Sequence, residues 1–170
     1  GKYPLEAVET MAAIAEQAEN DRQHFGHKED IPLMSNCTQK EFLAHTAINS
    51  TRLLGVEGII TDSETGETAR NLASFRGPKP ILAICYKEKT QRWLNLSYGV
   101  IPVYQKEHQN ADFMFLAALR MLRQKGYLTD DDKVAYLSGS LGEGGGTTFV
   151  EINQVKKAFD EKYQFHLPKV

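Results

Sequence analysis

The chain has 170 residues, 41% of them hydrophobic and 25% charged, with a formal net charge of -2. That length and balance describe one globular domain with an appendage, large enough for a proper core. A slightly acidic chain without a basic cluster argues against nucleic acid as a partner, and no run is long and apolar enough to cross a membrane.

The chain opens at Gly1-Lys2-Tyr3-Pro4 without an initiator methionine, which reads as a cut inside a longer protein. Pro4 suits a first helical position. Leu5, Val8, Met11, Ala12 and Ala15 follow at helical spacing, so a helix is expected to about Glu19. Residues 1–20 form one segment in this reading, and the polar stretch 21–37, with Lys28-Glu29-Asp30 and Pro32, is a linker. His24 and His27 lie there without a third ligand near in sequence, so a metal pair is not expected. Thr38 followed by Glu41 is a capping-box pattern. It opens a helix through Phe42, Ala44, Ile48 and Leu53, stopped by Gly55, with His45 on its surface or at an interface. Gly58 to Thr61 reads as a strand, Thr65 to Phe75 as a helix, and Gly77-Pro78 as a turn. Ile81 to Cys85 is the next strand, with Cys85 a buried thiol. Cys37 and Cys85 fit no metal spacing, and a reducing cytoplasmic setting is the default.

A helix from about Glu88 to Tyr98 follows, in which Trp93 is expected to pack and Arg92 to form a surface salt bridge. Val100 to Tyr104 is a short strand whose Pro102 marks an edge or irregular position. Asn110 or Asp112 caps a helix through Phe113, Leu116, Leu119 and Leu122, with Gly126 as its stop. Asp130-Asp131-Asp132 lacks the glycine and final glutamate of an EF-hand and reads as a solvated turn. Val134 to Leu137 is a strand. Thr147 to Ile152, with no helix-length segment before it, should return antiparallel. The tail, residues 154–170, is expected to begin with a short helix through Val155, Ala158 and Phe159.

Strands separated by helices imply an α/β fold: three layers, α/β/α, around a mainly parallel five-stranded sheet with one antiparallel strand. Ligands in such sheets bind beyond the carboxyl ends of the strands. Two loops rich in glycine and hydroxyl groups lie there, Asp62 to Thr68 and Ser138 to Thr148. Their candidate donors to an anionic effector are Ser63, Thr65, Gly66, Thr68, Ser138, Gly139 and Gly145. A helix starting near Thr68 adds partial positive charge. The plainer alternative is that both loops are ordinary strand-to-helix turns. No catalytic or metal-binding residue is expected.

The ordered series of segments resembles the C-terminal domain of pyruvate kinase. Gly1-Lys2-Tyr3-Pro4-Leu5-Glu6-Ala7-Val8 resembles the entry to the last helix of that family's catalytic barrel. Gly58-Ile59-Ile60 and Thr65-Gly66-Glu67-Thr68-Ala69-Arg70 resemble the strand and first phosphate loop of its C-terminal domain. Pro80-Ile81-Leu82-Ala83, Lys89-Thr90-Gln91-Arg92 and Gly99-Val100-Ile101-Pro102-Val103 match the next units. Ser138-Gly139, Gly145 and Thr147-Thr148 match the final effector loop. The likeness covers about residues 1 to 153.

The resemblance implies an allosteric and assembly domain spanning residues 38–153, which contacts its twin across a two-fold axis in a tetrameric parent. The parent would transfer the phosphoryl group of phosphoenolpyruvate to ADP with Mg²⁺ and K⁺, using a barrel whose lysine, carboxylates and threonine have no match here. This segment would then be inactive alone and carry no cofactor. Its effector would be a sugar phosphate or another anion. Against fructose 1,6-bisphosphate stand Glu64, Glu67 and Glu143, where activated members tend to carry basic residues or a tryptophan. A carboxylate about 4 Å from a phosphate costs roughly 4 kcal/mol at a surface-like dielectric. A pure interface module without a ligand therefore stays open as the alternative.

Overall fold

The computed structural model describes residues 1–25, 36–106, 111–139 and 146–159, with the side chains of 22–25 and 111–114 left aside. The chain divides into two units, Gly1–Pro32 and Leu33–Val170. The first contains α1 (Pro4–Phe25), which runs past the expected end at Glu19. No proline or glycine interrupts Asn20 to Phe25, so nothing local stops the helix there. His27, Asn110, Gly145 and residues 160–170 lie outside the described residues.

In the second unit the elements alternate. They are α2 (Gln39–Leu53), β1 (Gly58–Ser63), α3 (Glu67–Ser74), β2 (Ile81–Cys85), α4 (Glu88–Leu94), β3 (Val100–Tyr104), α5 (Ala111–Gln124), β4 (Lys133–Ser138) and β5 (Phe149–Gln154). A 3₁₀ turn, Val155–Phe159, follows. The start of α2 is the capping box read from sequence. Thr38 Oγ1 accepts the Glu41 N–H, and the Glu41 carboxylate accepts the Thr38 N–H at 2.7 Å. At the end of α5, Gly126 adopts φ +75°, and the Tyr127 N–H reaches the Leu122 carbonyl at 3.0 Å. A left-handed glycine is the usual way to close a helix by this pattern.

The sheet has strand order β3-β2-β1-β4-β5. β1, β2, β3 and β4 are parallel, and β5 returns antiparallel beside β4. Pro102 is tolerated because β3 is an edge strand, with one side free of ladder bonds. The period-2 alternation of strands splits the core into two layers. Ile59, Ile81, Ala83, Ala135 and Leu137 pack against Ala44, Ala47 and Ile48 of α2, Ala69 and Leu72 of α3, and Leu94 of α4. Ile60, Leu82, Ile84 and Val134 face Ala118, Leu119 and Leu122 of α5. Each fully buried leucine or isoleucine contributes about 1.5–3 kcal/mol, so both layers are needed to hold β1 at the centre.

Candidate functional site

β1 and β4 are parallel neighbours, Thr61 opposite Leu137, so the loops leaving their carboxyl ends start side by side. Ser63 ends β1 and is buried, and its Oγ accepts the Gly66 N–H at 2.8 Å. Thr65 Oγ1 accepts the Glu67 N–H at 3.4 Å. Gly66 turns the chain into α3 at φ +83°, and a Cβ there would lie 3.2 Å from Leu94 Cδ2 and 3.3 Å from Arg70 Nη1. The left-handed conformation favours glycine, while the two side-chain ends would need to give by only a few tenths of an ångström. This φ also explains why α3 begins at Glu67 rather than Thr65. From α4, Thr90 Oγ1 donates to the Glu64 carbonyl at 2.8 Å and fixes the loop from the side.

The second loop is pinched at its base. The Thr148 N–H donates to the Ser138 carbonyl at 2.9 Å, and a Cβ on Gly139 would stand 2.0 Å from the Gly146 carbonyl oxygen. Backbone meets backbone there, which only glycine permits. Thr68 Oγ1 lies 3.1 Å from Thr147 Oγ1, so the start of α3 is joined to the base of the second loop. Of the sequence candidates, Ser63, Thr65, Gly66 and Thr68 thus share one turn, and Thr68 meets the other loop. Ser138 turns elsewhere. It occupies the α5-facing register of β4, and its hydroxyl bonds the Asp62 carboxylate.

Glu64 and Glu67 of the first loop are not isolated charges. Glu64 Oε1 lies 2.5 Å from Lys87 Nζ, and this ion pair holds the Glu64 carboxyl below the usual carboxylate range. Glu67 Oε1 lies 3.0 Å from Lys40 Nζ. Both pairs are exposed, so each is worth only about 0–1 kcal/mol, and each sets a cation beside the carboxylate. Lys40 and Lys87 had no local signal, because their partners stand 27 and 23 residues away along the chain. Asp62 was also missed. Burial pushes its carboxyl up, and the Ser138 hydroxyl partly counteracts this. An acid on the inward register of a strand was the available clue.

Trp93 corrects an expectation. It is 59% exposed, with Lys89 Nζ 5.0 Å from its ring, because the short α4 turns Thr90 and Leu94 inward instead. Arg92 pairs with Glu88 at 2.9 Å as a surface bridge. Asp130 and Asp131 each take a cation, Arg123 and Lys156, both at 2.7 Å, while Asp132 accepts the Thr129 N–H. His45 lies edge-on to Phe75, with ring centroids 5.7 Å apart. Cys85 is buried, which pushes its thiol up to about 11. Among the described residues no group of three or more His, Cys, Asp or Glu side chains is placed to hold a metal ion. Among the described residues no helix is long and apolar enough to cross a membrane.

The described elements form an α/β domain with a mixed, mainly parallel five-stranded sheet, and hydroxyl-bearing loops follow β1 and β4. More particularly, residues 41–153 match the family model described as pyruvate kinase, alpha/beta domain, and the chain belongs to that family. It is the C-terminal α/β domain of that architecture. Pyruvate kinase of Borreliella burgdorferi is 34% identical over 161 residues, covering 93% of this chain and 34% of the relative. Pyruvate kinase of Lactococcus lactis is 30% identical over 158 residues, covering 92% and 31%. The chain thus spans about a third of the length of these relatives. A solved structure of Cryptosporidium parvum pyruvate kinase in complex with ADP superposes with a TM-score of 0.64. It is 22% identical and matches 72% of this chain and 25% of its own. At that identity it speaks for the fold alone.

Proposed function

We propose that this chain is the allosteric and assembly segment of a pyruvate kinase, binding a phosphorylated anion between its two loops. The observation that carries the reading is the Thr68–Thr147 contact of 3.1 Å, which joins two strand-end loops 79 residues apart. The pairing of Glu64 and Glu67 with lysines supports it further, since neither carboxylate then faces a phosphate as an uncompensated charge. The donors would be Ser63, Thr65, Gly66 and Thr68, with Thr147 beside them from the second loop, while the Ser138 hydroxyl is spent on Asp62. The parent enzyme would transfer the phosphoryl group of phosphoenolpyruvate to ADP in the cytoplasm with Mg²⁺ and K⁺. Its barrel would sit on the same chain, and α/β domains would meet across a two-fold axis.

Calorimetry with ribose 5-phosphate and with sugar bisphosphates tests the pocket. Glu67→Lys exchanges a negative for a positive charge and should tighten binding. Thr68→Ala should weaken it by about 1 kcal/mol, the usual net value of one hydrogen bond. If Glu67→Lys binds none of these compounds better than the parent chain, the loops are turns and the domain is an interface module. Assembly is read by sedimentation, where a strictly monomeric chain at high concentration counts against the two-fold contact. Phosphoryl transfer rests on positioned metal and phosphate ligands, so a coupled assay for pyruvate should read zero with this segment alone. Mg²⁺-dependent turnover that copurifies with it would overturn its reading as a non-catalytic part.

A further inference from the structure

We propose that Lys40 is a ligand-contacting, specificity-determining residue of the two-loop site, held in reserve by Glu67. The proposal rests on the anion-binding reading above and adds a residue from a third element. The capping box fixes the first turn of α2, and Lys40 stands on that turn. Its Nζ is 3.0 Å from Glu67 Oε1 at the start of α3. Its stem crosses the second loop's base: a Cβ on Gly146 would lie 3.1 Å from Lys40 Cε and 3.9 Å from Nζ. The next residue, Thr147, is the one that touches Thr68. One ammonium therefore stands where α2, α3 and the second loop come together.

The ion pair can open. The Lys40 and Glu67 side chains are 41% and 56% exposed, and a pair so wetted is worth about 0–1 kcal/mol. A phosphate monoester carries close to two negative charges at neutral pH and three strong acceptor oxygens. It outbids a single carboxylate for the ammonium. Binding would then exchange Glu67 for the ligand at Lys40, and Glu67 would swing into water. The site would discriminate by charge: a dianionic phosphate monoester displaces Glu67, whereas a carboxylate monoanion of similar size gains nothing by the exchange.

Calorimetry on the full 170-residue chain with ribose 5-phosphate reads this out in the wild type, Glu67→Gln, Lys40→Met with Glu67→Gln, and Lys40→Arg. Glu67→Gln should bind several-fold more tightly than wild type. The double variant should bind about tenfold more weakly than Glu67→Gln, because in both the carboxylate is absent and only the ammonium differs. Lys40→Arg should keep the affinity within a few-fold. If Glu67→Gln and the double variant bind equally well, Lys40 does not touch the ligand, and the proposal fails while the anion site stands. If no variant binds ribose 5-phosphate, both the site and the proposal fail. Equal affinity of the wild type for ribose 5-phosphate and for riburonate, whose carboxylate stands at C5, would overturn the charge discrimination.

Discussion

Replacing Gly139 by alanine should open the neck of the second loop. The added Cβ would meet the Gly146 carbonyl oxygen at 2.0 Å and its carbon at 2.9 Å. Both are backbone atoms of the facing segment, so no side-chain rotation relieves the clash, and the two arms must part by more than an ångström. Overpacking of this kind costs about 1–3 kcal/mol. Parting the arms also breaks the bond from the Thr148 N–H to the Ser138 carbonyl, 2.9 Å long, worth about 1 kcal/mol. The expected loss is about 2–4 kcal/mol, which for a domain of this size lowers Tm by roughly 6–15 °C. Gly126→Ala is the control. Gly126 also has positive φ, +75°, but nothing lies within 4 Å of its missing Cβ. It should lose only the conformational term of about 1–2 kcal/mol. Thermal melts followed by circular dichroism compare the two. A Gly139→Ala protein that melts at or above the Gly126→Ala protein would refute the backbone-contact reasoning.

Two further predictions concern buried ionisable groups. Burial raises the Asp62 pKa, so the folded state holds its proton above the pH at which the unfolded chain releases it. Stability from this group is full below about pH 3.9, the ordinary aspartate value, and is lost as pH rises through the folded pKa. Asp62→Asn should therefore stabilise the chain at neutral pH, with the gain vanishing in acid; urea melts showing an equal gain at both ends of the range would contradict this. Burial and the thiol pKa of about 11 should make Cys85 inert in the native state, whereas Cys37 at the head of α2 is partly exposed. A thiol reagent at about pH 8 should label Cys37 alone in native protein and both cysteines after unfolding. Native labelling at Cys85 in a peptide map would count against the packed sheet.

What could be read from the sequence was what short-range chemistry decides. Thr38 and Glu41 cap one another across three residues, so the start of α2 was visible. Val100 to Tyr104 was visible as a strand, and its proline pointed to the edge position that β3 occupies. The antiparallel return of β5 followed from the short connection before it. The site was legible only as two loops. Its charge balance was not, because Glu64 and Glu67 find their lysines through tertiary contact rather than spacing. The Asp62–Ser138 bond depends on β1 and β4 lying in register, which the residues of neither strand disclose alone. Trp93 misled because aromatic bulk was weighed above the helix period that turns Thr90 and Leu94 inward.

The order of the strands also bears on how the domain forms. β1, β2 and β3 follow one another through short helical crossovers, so that half of the sheet closes small loops. β4 must then return across β1, pairing Val134 with Gly58. Joining residues so far apart carries a larger loop-closure entropy and slows the step. The Thr68–Thr147 contact needs that step to be complete. The Thr68–Thr147 contact is therefore expected to form late, and a ligand held at the proposed site would act as a check on finished folding: it would stabilise the native state by mass action and gain no hold on a chain in which β4 has yet to dock. In a refolding experiment, ligand should slow unfolding while leaving the folding rate unchanged.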